Sequence, residues 1–254
     1  MNTQASQSTP QPVALVTGGS RGIGAAIVRR LARDGFAVGI NYASSSADAD
    51  ALANDIRQAG GRAVAVQADV SKAADVRALF DKVESELGRI SALVNSAGVL
   101  KVQPLADTSD EDYAQTFDIN TRGTFNTLRE AATRLADGGS IVNVSSTTIA
   151  LNLPGYAVYI ASKAAVESFT HVFSKELRGR RITVNAVAPG PVATELFLKG
   201  KSPELIEHFA KMPPLERLGQ PDDIAGVVSF LTGPDSGCCL LYTSDAADEG
   251  LGVD

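Results

Sequence analysis

The sequence predicts an α/β protein built on a single, doubly wound parallel sheet. Three observations support this fold class: short apolar runs alternate with helical segments, glycines cluster directly after the first run, and no linker divides the core. Strands of about five residues that are apolar throughout are typical of a parallel sheet with helices on both faces. Because crossovers between parallel strands are right-handed, the expected architecture is a Rossmann-like, three-layer αβα domain.

Each strand is predicted from a run of apolar, often β-branched residues, and each helix from apolar residues spaced three to four apart. The predicted strands cover residues 13–17, 36–41, 63–67, 92–95, 140–144 and 182–187. The predicted helices cover residues 25–34, 47–59, 76–87, 110–135 and 159–177. Apart from this alternation, the chain contains no internal repeat.

Composition and charge exclude several classes of function. The chain has 254 residues and a formal net charge of -6, which disfavours binding to nucleic acid. No apolar run approaches the roughly 20 residues that span a membrane. Two adjacent cysteines, Cys238 and Cys239, make a poor disulfide, and no spacing of metal ligands occurs. We therefore expect no metal site and a reducing, cytoplasmic compartment.

A glycine-rich turn follows the first predicted strand, with glycines at 18, 22 and 24. Glycines permit a tight turn and let a pyrophosphate approach backbone N–H groups at the start of the next helix. The same pattern also occurs in plain strand–helix turns. Here the strand before it and the helix after it are the context that favours a dinucleotide site.

The end of the second strand discriminates between NAD and NADP. An NAD site usually has an acidic residue there, which binds the ribose 2′-hydroxyl. This chain instead has Asn41, Tyr42, Ala43 and Ser44, with no acid before Asp48. A neutral strand end together with the cation Arg21 in the glycine turn favours a 2′-phosphate, and so NADP(H). The alternative is that Arg21 is merely solvated and the serines form an ordinary turn.

Tyr159 and Lys163 stand four residues apart on a predicted helix and therefore share one face. A nearby ammonium would lower the pKa of the phenol, which could then serve as general acid or general base. Ser145 and Ser146 follow the fifth strand, where either hydroxyl could bind a carbonyl oxygen or simply cap the strand. By itself, the Tyr–Lys spacing also fits a surface pair.

Taken together, these residues resemble the short-chain dehydrogenase/reductase family over residues 13–236. The resemblance rests on the glycine turn, Asp69-Val70, Asn95-Ser96-Ala97-Gly98, Ser146 thirteen residues before Tyr159, and a Pro-Gly segment at 189–194. It is closest to NADPH-dependent aldehyde reductase and 3-oxoacyl-carrier-protein reductase types. Ser96 stands where the family usually has asparagine.

The resemblance implies a role for each matched position. Tyr159 would be the acid/base, Lys163 would bind the nicotinamide ribose and lower the tyrosine pKa, Ser146 would position the carbonyl, and Asn120 would complete a proton relay. The implied cofactor-binding residues are Gly18, Ser20, Arg21, Gly22, Ile23, Gly24, Asn41, Tyr42, Ala43, Ser44, Asp69, Val70, Asn95, Ala97, Gly98, Tyr159, Lys163, Pro189, Gly190, Val192 and Thr194.

The two ends of the chain depart from this pattern. Residues 1–12 are polar without a signal-peptide pattern and are predicted to be a disordered tail. Residues 13–236 form the NADP-binding catalytic domain. Residues 237–254 do not match the family's last strand and suggest a shifted reading frame or sequencing error, or else a divergent tail whose residues 238–242 form an edge strand. The resemblance implies a homo-oligomer, and the family's usual oligomer interface includes the region where residues 237–254 depart from the pattern.

The leading functional hypothesis is an NADP(H)-dependent oxidoreductase that reduces an aldehyde, ketone or 3-oxoacyl thioester, or runs the reverse reaction. The alternatives are a sugar or secondary-alcohol dehydrogenase of the glucose-dehydrogenase type, and a cofactor-binding protein without turnover. Residues 195–214 occupy the variable substrate lid of the family. There, Leu196, Phe197, Leu198, Phe209 and Met212 predict either an apolar lid or ordinary helix packing.

Overall fold

The computed structural model describes residues 11–237 and confirms the predicted fold class. Within that range, six parallel strands form one sheet in the order β3-β2-β1-β4-β5-β6. The strands are β1 (Val13–Thr17), β2 (Ala37–Tyr42), β3 (Ala63–Gln67), β4 (Ala92–Asn95), β5 (Ser140–Val144) and β6 (Thr183–Val187). The order reverses between β1 and β4, so the loops at their carboxyl ends diverge and leave a crevice.

Helices connect the strands and extend beyond the last one. They are α1 (Gly22–Arg33), α2 (Ser46–Gln58), α3 (Ala73–Leu87), α4 (Asp110–Phe117), α5 (Gly123–Arg134), α6 (Thr148–Leu151), α7 (Ala157–Glu176), α8 (Glu195–Leu198), α9 (Pro203–Lys211) and α10 (Pro221–Thr232). The strands and helices that the sequence predicted are all present. Their ends agree to within three residues, except in the long segment after β4.

The segment predicted as one helix over 110–135 is interrupted. A π-helical turn, Asp118–Arg122, separates α4 from α5. A π turn inserts one residue into the helical repeat, and such turns are frequent at functional sites. The interruption places Asn120 in the irregular turn, where its side chain is fully buried.

Successive residues of each strand point to opposite faces of the sheet and are buried in two separate cores. Leu15 and Leu93 join the core that packs against α3, α5 and α7. Their neighbours Val16 and Val94 join the core beneath α1, α2 and α10. Because both faces are apolar and covered, strands β1 to β4 contain no polar residues until their carboxyl ends.

The predicted N-terminal tail extends too far in one respect. Pro12 was assigned to it, yet the Pro12 carbonyl accepts a hydrogen bond of 2.9 Å from the Ala37 N–H. Gln11 likewise donates to the Gly35 carbonyl at 2.9 Å. The Pro12 bond extends the pairing of β1 with β2, and the Gln11 side chain links the chain before β1 to the turn before β2. Residues 1–10 and the atypical segment 238–254, including the proposed edge strand, lie outside the described residues.

Candidate active site

The glycine turn after β1 is built by contacts that exclude larger side chains. Gly18 has a φ of 61°, and a Cβ there would lie 2.8 Å from the Ala97 Cα. A Cβ at Gly24 would lie 2.1 Å from the Gly18 carbonyl oxygen. The turn therefore folds back on the first turn of α1 and against the loop after β4, which only glycine allows.

The N-terminus of α1 opens toward this turn. Arg21 is the N-cap residue in an extended conformation, and its side chain makes no capping hydrogen bond. The first turn contains no acidic residue. Uncapped N–H groups and the positive end of the helix dipole suit a pyrophosphate, so the site fits a dinucleotide.

Asn41, at the end of β2, holds the glycine turn in place. Its Oδ1 accepts a hydrogen bond from the Gly18 N–H at 3.2 Å, and its Nδ2 donates to the Ala68 carbonyl at 3.0 Å. Asn41 was predicted to bind the cofactor. It does line the cavity described below, but its buried amide is already hydrogen-bonded at both ends. Its direct role is therefore to join β2, β3 and the turn.

Arg21, the predicted partner of a 2′-phosphate, forms an ion pair in this structure. Its Nη1 lies 3.1 Å from Oε2 of Glu195, the first residue of α8. Both side chains are more than half exposed, so the pair contributes little stability. Arg21 can therefore exchange this carboxylate for a phosphate at small cost. The sequence analysis placed Glu195 at the start of the lid segment and not among the cofactor-binding residues.

A single cavity of about 830 Å³ runs from the glycine turn past α7 to the segment after β6. All but two of the predicted site residues line it. The exceptions are Asn95 and Asn120, which are buried behind its wall.

Asn95 belongs to a chain of buried polar side chains instead. Thr127 donates to Asn95 Oδ1 at 2.7 Å, and Asn95 Nδ2 donates to Asn143 Oδ1 at 2.8 Å. Asn143 Nδ2 in turn donates to Thr170 Oγ1 at 2.8 Å. The Asn95 side chain therefore links β4 and β5 to α5 and α7 and does not line the cavity. Its predicted contact with cofactor stays a prediction.

Asn120 fastens the π turn to the loop after β4. Its Oδ1 accepts from the Val99 N–H at 2.8 Å, and its Nδ2 donates to the Val99 carbonyl and to Ser162 Oγ, both at 3.0 Å. A Cβ added at Gly98, which lies beside these hydrogen bonds, would be 3.4 Å from Asn120 Oδ1 and 3.6 Å from Lys163 Nζ. Asn120 thus lies close to the lysine without reaching the cavity, and its predicted part in a proton relay stays a prediction.

Tyr159, Lys163 and Ser146 all line the cavity. Tyr159 and Lys163 lie on α7, and Ser146 follows β5, so the helix and the strand end bring them together. The Lys163 Nζ lies 6.0 Å from the centre of the Tyr159 ring and donates a 2.7 Å hydrogen bond to the Val144 carbonyl. The Ser146 hydroxyl lies within hydrogen-bonding reach of the Tyr159 phenol.

We expected Lys163 to lower the pKa of Tyr159, but the pKa of Tyr159 is raised in the structure. Burial raises the pKa of Tyr159 above its ordinary value of 10, and this outweighs the lowering due to Ser146. Burial also lowers the pKa of Lys163 to about 8. The phenol is therefore held in its protonated form, which is the form that a general acid requires.

The two adjacent serines have different partners. Ser145 donates a 2.6 Å hydrogen bond to Oε1 of Glu167 on α7. Ser146 Oγ accepts from the hydroxyl of Thr148 at 2.9 Å and faces Tyr159. The Glu167 carboxylate therefore engages Ser145, whereas Ser146 is the serine adjacent to the phenol.

The remaining cavity wall is mainly apolar, and the sequence prediction included only part of it. Four of the five predicted lid residues line the cavity, namely Leu196, Phe197, Phe209 and Met212, whereas Leu198 does not. Among the apolar residues that the prediction missed are Leu100, Leu151, Leu153 and Tyr156. These four lie in loops and in the short α6, where no periodic pattern marks them. Among residues 11–237, no cluster of three or more potential metal ligands occurs.

A dinucleotide-sized crevice at a sheet reversal, beside a tyrosine and a lysine, defines an oxidoreductase of the Rossmann-like class. Comparison with known proteins makes this more specific. Residues 18–240 match the protein family described as enoyl-(acyl carrier protein) reductase. A relative from Arabidopsis thaliana, named NADPH-dependent aldehyde reductase-like protein, chloroplastic, is 46% identical over 92% of this chain and 93% of its own length.

Solved structures agree with this match. A short-chain dehydrogenase/reductase from Serratia marcescens BCRC 10948 is 38% identical with a TM-score of 0.86, over 91% of this chain and 94% of that one. A short-chain dehydrogenase from Burkholderia cenocepacia J2315 in complex with NADP is 36% identical with the same TM-score and coverage. This chain therefore belongs to the short-chain dehydrogenase/reductase family of oxidoreductases.

Proposed function

We propose that this protein uses NADP(H) to reduce an apolar aldehyde or ketone to the alcohol, or to run the reverse reaction. The observation that carries the proposal is that Ser146, Tyr159 and Lys163 share one cavity with the uncapped N-terminus of α1 and with an apolar wall. A cofactor-binding protein without turnover would not need these three polar groups beside that wall.

The predicted cofactor NADP(H) is confirmed by the relative named as NADPH-dependent and by the neighbour solved with NADP. The residues here are consistent with it. No acidic residue lies between Tyr42 and Ser46 at the end of β2, and Arg21 lines the adjacent cavity. The bound nicotinamide supplies or accepts the hydride.

The chain's own residues would orient the substrate and handle the proton. Ser146 would hydrogen-bond the substrate oxygen as negative charge develops there. Tyr159, protonated in this environment, would give its proton to that oxygen during reduction. Lys163 would bind the cofactor ribose while its charge favours the phenolate that results. In oxidation, the phenolate would take the proton back.

The apolar wall favours aldehydes and ketones over sugars, since burying unpaired hydroxyls against Leu, Phe and Met side chains is costly. Thioesters of 3-oxoacids have apolar chains too and belong in the same substrate panel. Enoyl thioesters belong there as well, because the description of the matched family refers to them.

The experiment is a cofactor-consumption assay with NADPH and NADH over aldehydes, ketones, 3-oxoacyl thioesters, enoyl thioesters and glucose. We expect NADPH oxidation with apolar carbonyl compounds. Loss of the general acid in Tyr159→Phe should lower kcat by about 10²- to 10⁴-fold.

Tyr113→Phe is the matched control, because Tyr113 is half exposed on α4 and does not line the cavity. Wild-type rates in Tyr159→Phe would contradict the mechanism, and turnover of glucose alone would contradict the substrate class.

We also propose that the protein forms homo-oligomers through α5 and α7. Phe125 is 44% exposed on α5 and contacts the Phe169 ring on α7, with ring centres 6.3 Å apart. Val172, one turn along α7, is 56% exposed.

No helix among the described residues is long and apolar enough to cross a membrane. The cytoplasmic location stays a prediction, and the Arabidopsis relative is named as chloroplastic.

A further inference from the structure

Tyr156 is a second phenol in the cavity wall, beside Tyr159. Its ring meets the Tyr159 ring edge to face, with centres 6.5 Å apart. Only 6% of Tyr156 is exposed, so the side chain is held in place rather than free in solvent. It precedes α7 as the N-cap residue, one turn before Tyr159.

The hydroxyl of Tyr156 lacks a hydrogen-bond partner among residues 11–237. The backbone of Tyr156 is engaged, since its N–H donates to the Leu153 carbonyl at 3.2 Å and its carbonyl accepts from the Ile160 N–H at 2.8 Å. Neighbouring hydroxyls do have partners: Ser146 bonds Thr148, and Thr147 bonds the Pro189 carbonyl. Among the described residues, Thr183 Oγ1 is the fully buried side-chain polar atom without a partner, so the unbonded Tyr156 hydroxyl is accessible from the cavity. A molecule that enters the cavity can therefore supply its partner.

The surroundings of this hydroxyl define what kind of molecule could supply that partner. Leucine, phenylalanine and methionine side chains make up much of the nearby wall, namely Leu100, Leu151, Leu153, Leu196, Phe197, Phe209 and Met212. A mainly apolar body would fill this space by burial of its surface. A single extra oxygen on that body could then pair with Tyr156 while the carbonyl occupies Ser146 and Tyr159.

We propose that Tyr156 is a specificity-determining residue, whose hydroxyl binds a second oxygen on an otherwise apolar carbonyl substrate. This inference rests on the proposed function and specifies its substrate class: apolar aldehydes or ketones with a hydroxyl or a second carbonyl apart from the reacting one. A purely structural role for Tyr156 predicts instead that phenylalanine would serve equally well for every substrate.

The test compares acetophenone with 3-hydroxyacetophenone, 4-hydroxyacetophenone and 3-methoxyacetophenone, using NADPH and full-length protein. For each hydroxylated or methoxylated ketone, kcat/KM is divided by the value for acetophenone with the same variant. Differences in the intrinsic reactivity of the ketones cancel when this ratio is compared between wild type and Tyr156→Phe. The methoxy compound, which accepts but cannot donate, shows whether Tyr156 acts as the donor.

We expect at least one hydroxylated ketone to have a ratio that is about fivefold higher in wild type than in Tyr156→Phe, the range of one neutral hydrogen bond. Tyr113→Phe, with the same chemical change at an exposed site, should keep the wild-type ratio. Equal ratios in wild type and Tyr156→Phe for all compounds would overturn the inference and leave the proposed function intact.

A binding measurement separates the two proposals if wild type turns over none of these ketones. Each ketone is then titrated calorimetrically into NADPH-saturated wild type and Tyr156→Phe. A fivefold preference for a hydroxylated ketone that is lost in the variant would support the inference, although the catalytic proposal would fall for this class. Equal affinities, or no binding of any of these ketones, would overturn it.

Discussion

Tyr159 and Lys163 show how burial shifts the pKa of neighbouring side chains at the scale of single residues. The four-residue spacing led us to expect that the ammonium would lower the tyrosine pKa. Instead, burial raises the pKa of Tyr159 and lowers that of Lys163 to about 8. Spacing along a helix predicts which side chains are neighbours, but it does not predict how little water surrounds them.

The lowered pKa of Lys163 predicts how stability depends on pH. Below pH 8 the lysine is charged in both folded and unfolded protein, and its burial costs free energy. Between pH 8 and 10.5 the folded state loses the proton first, so the unfolded state binds more protons and the free energy of unfolding rises with pH. We expect Lys163→Met to lack this rise, which amounts to about 3 kcal/mol.

Urea denaturation without cofactor, from pH 7 to pH 10.5, measures the difference between wild type and Lys163→Met. Lys82→Met, at an exposed lysine paired with Glu86, is the control and should show no comparable rise. A difference between wild type and Lys163→Met that stays constant over this range would refute the burial argument.

At the scale of elements, irregular turns and buried polar side chains connect the layers. The sequence predicted one helix over 110–135, whereas the structure has a π turn at Asp118–Arg122 within that range. In this turn Asn120 bonds Val99 and Ser162 instead of facing solvent. Such side-chain bonds depend on which strand end lies beside which helix, and periodicity carries no information about that.

The polar chain through Asn95, Asn143 and Thr170 predicts a specific loss of stability. Thr170→Val removes the acceptor of the Asn143 Nδ2 and leaves a buried donor without that partner. We expect the free energy of unfolding to fall by about 1–3 kcal/mol. Urea denaturation at neutral pH gives the value.

The same substitution at an exposed position, Thr133→Val on α5, should change stability by less than about 0.5 kcal/mol. Equal stability of Thr170→Val and wild type would mean that the polar chain contributes nothing to the packing of α7 on β5.

At the scale of the whole molecule, one crevice unites the distant parts of the chain. The glycine turn, the β5 end and the segment after β6 meet only because the strand order reverses between β1 and β4. The Arg21–Glu195 pair, 174 residues apart in sequence, shows how closely these parts approach. No local pattern could have identified Glu195 as a neighbour of the glycine turn.

At the scale of the whole molecule, we predict self-association through α5 and α7. Placing charges on the exposed apolar face, as in Phe125→Lys combined with Val172→Lys, should reduce the molar mass measured by light scattering, because a charged interface cannot be buried cheaply. Leu105→Lys, which is 67% exposed outside that face, should keep the wild-type mass. An unchanged mass in the double variant would contradict an interface through α5 and α7.

The sequence by itself determined the α/β class, the strand and helix order, the glycine turn and most of the residues that line the cavity. The class, the element order and the glycine turn follow from period, composition and spacing, which are local properties of a chain. Most of the cavity residues follow from the resemblance to the short-chain dehydrogenase/reductase family. Only the tertiary structure decided that Asn95 and Asn120 stay behind the cavity wall, that Asn41 braces the turn, and that the Tyr159 phenol is held protonated. The reason is physical: burial and hydrogen-bond partners are set by the packing of distant segments, and local sequence patterns do not record that packing.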